Sequence, residues 1–268
     1  MKTAVVTGAT SGIGLELSRR LLREGWSVAA VGRHSLPSSS DFASAQAGGR
    51  LREYRCDLAD ASDRSRVVAD LAAAEPTIDA LFNNAGVSTG VMEFSPQGRE
   101  LHYEVNCVAP YVLADGLASC LATGGRGVIV NTVSDALFYA KRYDPEALSH
   151  PDQFKLLTGP YASAKLALAL WSKALAPRLS AQGTAIFSLS PGPINTPLIR
   201  GPGFPAFMRP LAVLLAKPPS YGAGLLLEVA EGGHPSGSLV MKRKVKALPF
   251  IDRAQRTLEV VAADALLQ

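Results

Sequence analysis

The chain opens MKTAVVTGATSGIG, in which a strand pattern runs straight into three glycines and a helical pattern starts among them. Residues 3–8 alternate and branch as a β-strand does. Residues 13–24 place Ile13, Leu17, Leu21 and Leu22 on one helical stripe. Gly8, Gly12 and Gly14 occupy the junction, with Ser11 and Ile13 between them. A tight turn, a close backbone approach and close helix–strand packing each require a missing side chain. The helix N-terminus that follows then offers unpaired N–H groups and positive potential to an anion. A βα junction of this kind suits the pyrophosphate of a dinucleotide, and it commits the chain to an α/β fold.

The pattern repeats down the sequence. SVAAVG (27–32) reads as a second strand, followed by a Ser/Gly-rich stretch, 35–49, of loop or weak helix. LREYRCDL is a third strand, 62–75 a helix, and IDALFNNAG a fourth strand ending in a turn. Residues 99–122 predict a long helix, 127–134 a fifth strand, and 135–158 is irregular. A helix begins near Pro160, a sixth strand spans 184–192, and 193–222 is rich in proline and glycine. A helix at 222–231 and a strand at 237–241 complete the sheet. Strands that are apolar almost throughout are buried on both faces, so the expectation is a single-domain, doubly wound parallel sheet over 1–268 with helices on both faces.

Composition narrows the function classes. With 47% hydrophobic and 19% charged residues the chain has a substantial core, and an excess of four positive charges asks for no nucleic acid. No signal-peptide pattern precedes the first strand, and the densest apolar runs are too short for a membrane span. Cys56, Cys107 and Cys120 are odd in number and unspaced, which points to reduced thiols and a cytoplasmic address. The four histidines have no metal-ligand spacing, so no metal is expected. The basic run KRKVK (242–246) reads as a charged surface strand or turn.

Tyr161 and Lys165, in GPYASAK, lie one turn apart on one helix face, behind a proline suited to the first turn. Alone, the pair is also what an amphipathic helix with a solvated lysine would carry. The wide glycine spacing of TGATSGIG, NNAG at 83–86 and YASAK at 161–165 together resemble the short-chain dehydrogenase/reductase family over nearly the whole chain, in the right order and context. The resemblance implies that Tyr161 is the general acid/base. Lys165 would hold the nicotinamide ribose and lower the tyrosine pKa. It makes Ser134, in IVNTVSDA, the group that binds the substrate oxygen, and Asn106, in YEVNCVAPY, the support of a water relay to the lysine. Asp57 and Leu58 would meet the adenine, Asn84, Ala85 and Gly86 would pass under the adenosine ribose, and Pro191, Gly192, Ile194 and Thr196 would line the nicotinamide side.

NAD-preferring members of that family usually carry an acid where this chain has Gly32, and Arg33 follows directly. A guanidinium meets a phosphate with paired hydrogen bonds, so NADP(H) is expected over NAD(H), with Ser11 and His34 as further contacts. The spacing of 27 between Ser134 and Tyr161 exceeds that of compact members. This insertion and the carboxyl-terminal pattern resemble the retinol-dehydrogenase-like and carbonyl-reductase-like branches. The expected activity is hydride transfer to or from a ketone, aldehyde or secondary alcohol of hydrophobic character. The segment 193–221 would act as a lid, and 135–158 would lie near the substrate mouth. Non-redox chemistry on the same fold (dehydration, epimerisation or cyclisation) is the alternative, and a nucleotide-sensing regulator a more distant one. Self-association into a homodimer or homotetramer stays open.

Overall fold

A computed structural model describes residues 1–123 and 125–267. Its centre is an eight-stranded sheet in the order β3-β2-β1-β4-β5-β6-β7-β8. β1 (Thr3–Thr7), β2 (Ser27–Gly32), β3 (Leu51–Arg55), β4 (Ala80–Asn83), β5 (Gly127–Thr132), β6 (Thr184–Ser190) and β7 (Ser238–Met241) are all parallel. The sheet is doubly wound, as expected. One strand was not anticipated as part of it. β8 (Lys244–Lys246), from the basic run, returns antiparallel to β7 through Lys242 and Arg243, both at positive φ. Its three residues are exposed, and a charged edge discourages pairing with another chain.

Alternate residues of each strand feed two cores. One face packs Ala4, Val6, Ala30 and Phe82 against α1 (Gly12–Arg23), α2 (Ser40–Ala47) and the helix Pro219–Ala230. The other packs Val5, Val31, Leu81 and Ile129 against α3 (Ala61–Ala74), the rod over 101–122, the helix Pro160–Ala181 and a carboxyl-terminal helix, Ala254–Leu266. The Pro160–Ala181 helix is apolar on nearly every side because it lies between the sheet and the Ala254–Leu266 helix. The three cysteines are buried and unpaired, and burial pushes the Cys56 thiol up to about 12.

Two polar systems bind these layers together. Asn83 donates to Asn131 (2.8 Å), Asn131 to Ser172 (2.8 Å), and Ser172 to the Leu168 carbonyl, which links β4, β5 and the Pro160–Ala181 helix. Glu104, fully buried, lies 2.5 Å from both Arg64 and Arg99, while Arg99 and Tyr103 bond to Asp264 of the carboxyl-terminal helix. The expected single helix at 99–122 is therefore not uniform. Glu104–Val108 is a π-helical turn set between α-helical segments, and the extra residue per turn there coincides with Asn106.

Candidate active site

The order 3-2-1-4 reverses the winding between β1 and β4, and a crevice opens beyond the carboxyl ends of those strands. A cavity of about 1220 Å³ fills it. At one end stands the glycine junction. Gly8 and Gly12 have φ of +67° and +55°, which a side chain would strain. A Cβ on Gly12 would come within 3.0 Å of Thr196 Cγ2, and one on Gly8 within 2.9 Å of Ala85 Cα. Thr7 Oγ1 accepts from the N–H groups of Asn84 and Ala85, both at 3.0 Å, so the NNAG turn is held against the first strand. Ser11, just before α1, makes no capping bond with its hydroxyl, and α1 has no acidic residue in its first turn. Its positive end thus faces the cavity without an internal counter-charge.

Farther along the same wall lie Ser11, Ile13, Arg33, His34, Asp57 and Leu58, all lining the cavity. Arg33 and His34 are exposed, and among the described residues neither makes an ion pair. A Cβ on Gly32 would come within 2.9 Å of Thr10 Cγ2, so the site has no room for an acidic side chain without moving Thr10. The carboxylate of Asp57 accepts from the Ala59 N–H at 3.0 Å.

At the other end Ser134, Tyr161 and Lys165 line the cavity with Pro191, Gly192 and Ile194, while Thr196 on the same segment reaches Gly12. Tyr161 and Lys165 share a face of the Pro160–Ala181 helix and are both buried. A Cβ on Gly159, the residue before that helix, would lie 2.7 Å from the Lys155 backbone nitrogen. Lys165 Nζ donates to the Thr132 carbonyl at 2.9 Å, and burial lowers its pKa to about 8. Burial moves the Tyr161 phenol the other way, above its usual value, while a hydrogen bond with Ser134 works against that rise. This corrects the expectation that Lys165 sets the tyrosine pKa: desolvation is the larger effect on Tyr161, and the ammonium is directed at a backbone carbonyl.

Two of the expected site residues do not reach the cavity. Gly14 lies behind it, where a Cβ would come within 2.3 Å of the Gly8 carbonyl, so its role is to let α1 approach the turn. Asn106 is fully buried and clamps Val87, accepting from its N–H at 2.9 Å and donating to its carbonyl at 3.0 Å. It still borders the lysine through Gly86, where a Cβ would fall 3.0 Å from Asn106 Oδ1 and 3.4 Å from Lys165 Nζ.

Some site residues were not anticipated from the sequence. His102 lies edge-on to the Tyr161 ring, with centroids 5.8 Å apart. Its Nε2 accepts from the Thr89 N–H at 3.0 Å, which leaves Nδ1 to donate to Glu100 at 2.6 Å. Asp135, next to Ser134, accepts from Ser190 at 2.5 Å at the cavity wall. Neither pair has a spacing in sequence that announces it, because each is closed by a loop or by neighbouring strands.

Comparison with known proteins identifies the family and the fold. The family model described as short chain dehydrogenase matches residues 2–143. The chain is 31% identical over 265 residues to dehydrogenase/reductase SDR family member 13 of Bos taurus, covering 95% of this chain and 70% of that protein. It is 30% identical over 241 residues to retinol dehydrogenase 13 of Mus musculus, covering 86% and 72%. In fold it is similar to a short-chain dehydrogenase from Sphingobium yanoikuyae solved with NADPH, with a TM-score of 0.71, 21% identity, and 100% and 95% of the two chains covered. The chain belongs to the short-chain dehydrogenase/reductase family of oxidoreductases and falls with its retinol-dehydrogenase-like relatives.

Proposed function

We propose that this protein is an NADP(H)-dependent oxidoreductase that interconverts a ketone or aldehyde with an alcohol, using Tyr161 as general acid/base. The observation that carries the reading is that one cavity has an anion-accepting helix end and an unpaired Arg33 at one end and the half-buried Ser134 with the buried Tyr161 and Lys165 at the other. The residues fit a nicotinamide dinucleotide. Gly8 and Gly12 leave backbone free for a pyrophosphate and Gly86 leaves space beside Lys165, while an exposed Arg33 at the cavity wall supports the 2′-phosphate reading. When bound, the nicotinamide supplies or accepts the hydride.

The chain's own residues do the rest. Ser134 donates to the substrate oxygen, and Tyr161 gives it a proton in reduction or takes one in oxidation. Lys165, held by the Thr132 carbonyl, is the cation that would orient the ribose. The surrounding apolar wall (Val87, Leu101, Val105 and Leu157 among it) excludes water and suits a hydrophobic substrate. Asn106 keeps Val87, and with it this wall, in place.

The deciding experiment measures kcat/KM with NADPH and with NADH across a panel of ketones, aldehydes and alcohols. Charge-assisted bonds from Arg33 predict a ten- to hundredfold preference for NADPH, about 1.5–3 kcal/mol. Arg33→Ala should erode the preference and leave NADH kinetics nearly unchanged. Tyr161→Phe should lose about 100- to 10,000-fold in turnover. An NADH preference would overturn the cofactor assignment, and a Tyr161→Phe variant of near-parental activity would remove the tyrosine from the mechanism.

A further inference from the structure

The lid is pinched at its base and apolar at its tip. The N–H of Asn195 donates to the Lys217 carbonyl and that of Lys217 to the Pro193 carbonyl, both at 2.9 Å, so the chain between them leaves and returns at one point. The tip is a 3₁₀ turn, Ala206–Met208, followed by a seven-residue helix, Arg209–Leu215, and neither contains a buried residue. Met208, Leu211, Ala212 and Leu215 face the cavity. Phe207 and Leu214 do not line it, lie seven positions apart on the same side, and are 85% and 79% exposed. Leu211 and Leu215 are also more than half exposed, so the tip presents leucine to solvent on both sides. Single exposed apolar residues are ordinary; a contiguous cluster on one projecting tip is not.

Charge identifies what covers it. Between β6 and Glu228 the chain carries Arg200, Arg209 and Lys217 and no acidic residue. Across the mouth Tyr139 lines the cavity, with exposed Lys141 and Arg142 just beyond. Apolar side chains at a tip whose segment carries only cations match the acyl boundary and anionic phosphate layer of a bilayer.

We propose that the lid tip is a docking surface for an anionic lipid bilayer, placing the cavity mouth at the membrane surface. Direct uptake of an apolar substrate from the lipid would follow, and that consequence alone rests on the oxidoreductase reading. The docking itself needs neither cofactor nor turnover, so its test is independent of that reading.

The test is flotation of the purified protein with vesicles of phosphatidylcholine and phosphatidylserine in equal parts, or of phosphatidylcholine alone. The protein should float with the mixed vesicles and bind at least tenfold less to the neutral ones. Phe207→Glu combined with Leu214→Glu should lower binding at least tenfold with Tm unchanged. The milder Phe207→Ala/Leu214→Ala pair should also weaken it, which guards against misfolding in the charged variant. Failure of the parent to float, or flotation of both double variants at the parent's level, overturns the proposal. So does light scattering that shows a dimer without lipid which Phe207→Glu/Leu214→Glu converts to monomer, because a second copy would then be the occupant.

Discussion

Lys165 is a cation held in the interior beside a single carbonyl acceptor. The fall of its pKa from 10.5 to about 8 corresponds to about 3 kcal/mol of desolvation penalty at neutral pH. In the unfolded chain the lysine keeps its proton up to about 10.5, in the fold only up to about 8. Between those values the unfolded state binds more protons, so this group's contribution to stability rises with pH across the window and is least favourable below it. Lys165→Met removes the charge at similar length and should make the cofactor-free protein more stable at pH 7, even after the Thr132 carbonyl loses its donor. Urea denaturation of both proteins across pH checks this: the advantage should shrink between pH 8 and 10.5. A difference independent of pH would show that the lysine carries no such penalty.

Elements, not single side chains, set the cofactor cradle. Gly14 sits inside α1, where alanine would ordinarily favour a helix by about 1 kcal/mol. Here the new Cβ would meet the Gly8 carbonyl at 2.3 Å and Asn84 Nδ2 at 2.7 Å, and the first contact is to backbone that cannot swing aside. Overpacking of this kind costs about 1–3 kcal/mol or more, so the clash outweighs the propensity. Gly14→Ala should lower the unfolding free energy in urea and weaken NADPH binding measured by calorimetry, because α1 must back away from the turn. A variant more stable than its parent would show that the junction is looser than the packing indicates. The π-helical turn at Glu104–Val108 works at the same scale: it brings Asn106 onto Val87 while Glu104 of the same turn meets Arg64 and Arg99.

At the scale of the molecule, two helical layers support a cavity bordered by the segment 193–221, which has few attachments. The pinch at Pro193, Asn195 and Lys217 and the Ser88 bond to the Gly203 carbonyl hold a segment whose tip has no buried residue. Hydrogen exchange should therefore find 193–221 the least protected part of the cofactor-free protein. Protection there should rise when NADPH and a substrate are added together. Strong protection regardless of ligand would mean that the lid is a fixed wall.

Local pattern was enough for the strands β1 to β7, the order of elements, the glycine junction and the Tyr161–Lys165 pair, because periodicity, turn chemistry and i,i+4 spacing act over a few residues. It was also enough for the family, whose motifs are short and ordered. The Ala254–Leu266 helix, β8 as the last strand of the sheet and the π-turn at Asn106 were not legible in this way, since each depends on what the rest of the fold packs against it. The same holds for charge. Spacing alone placed an ammonium one turn from Tyr161 and suggested that it governs the phenol. Only the tertiary structure, by burying both groups and turning Lys165 Nζ to the Thr132 carbonyl, made the loss of water the stronger influence on each. Sequence spacing sets which groups share a face, while the loss of water around them is a property of the assembled layers.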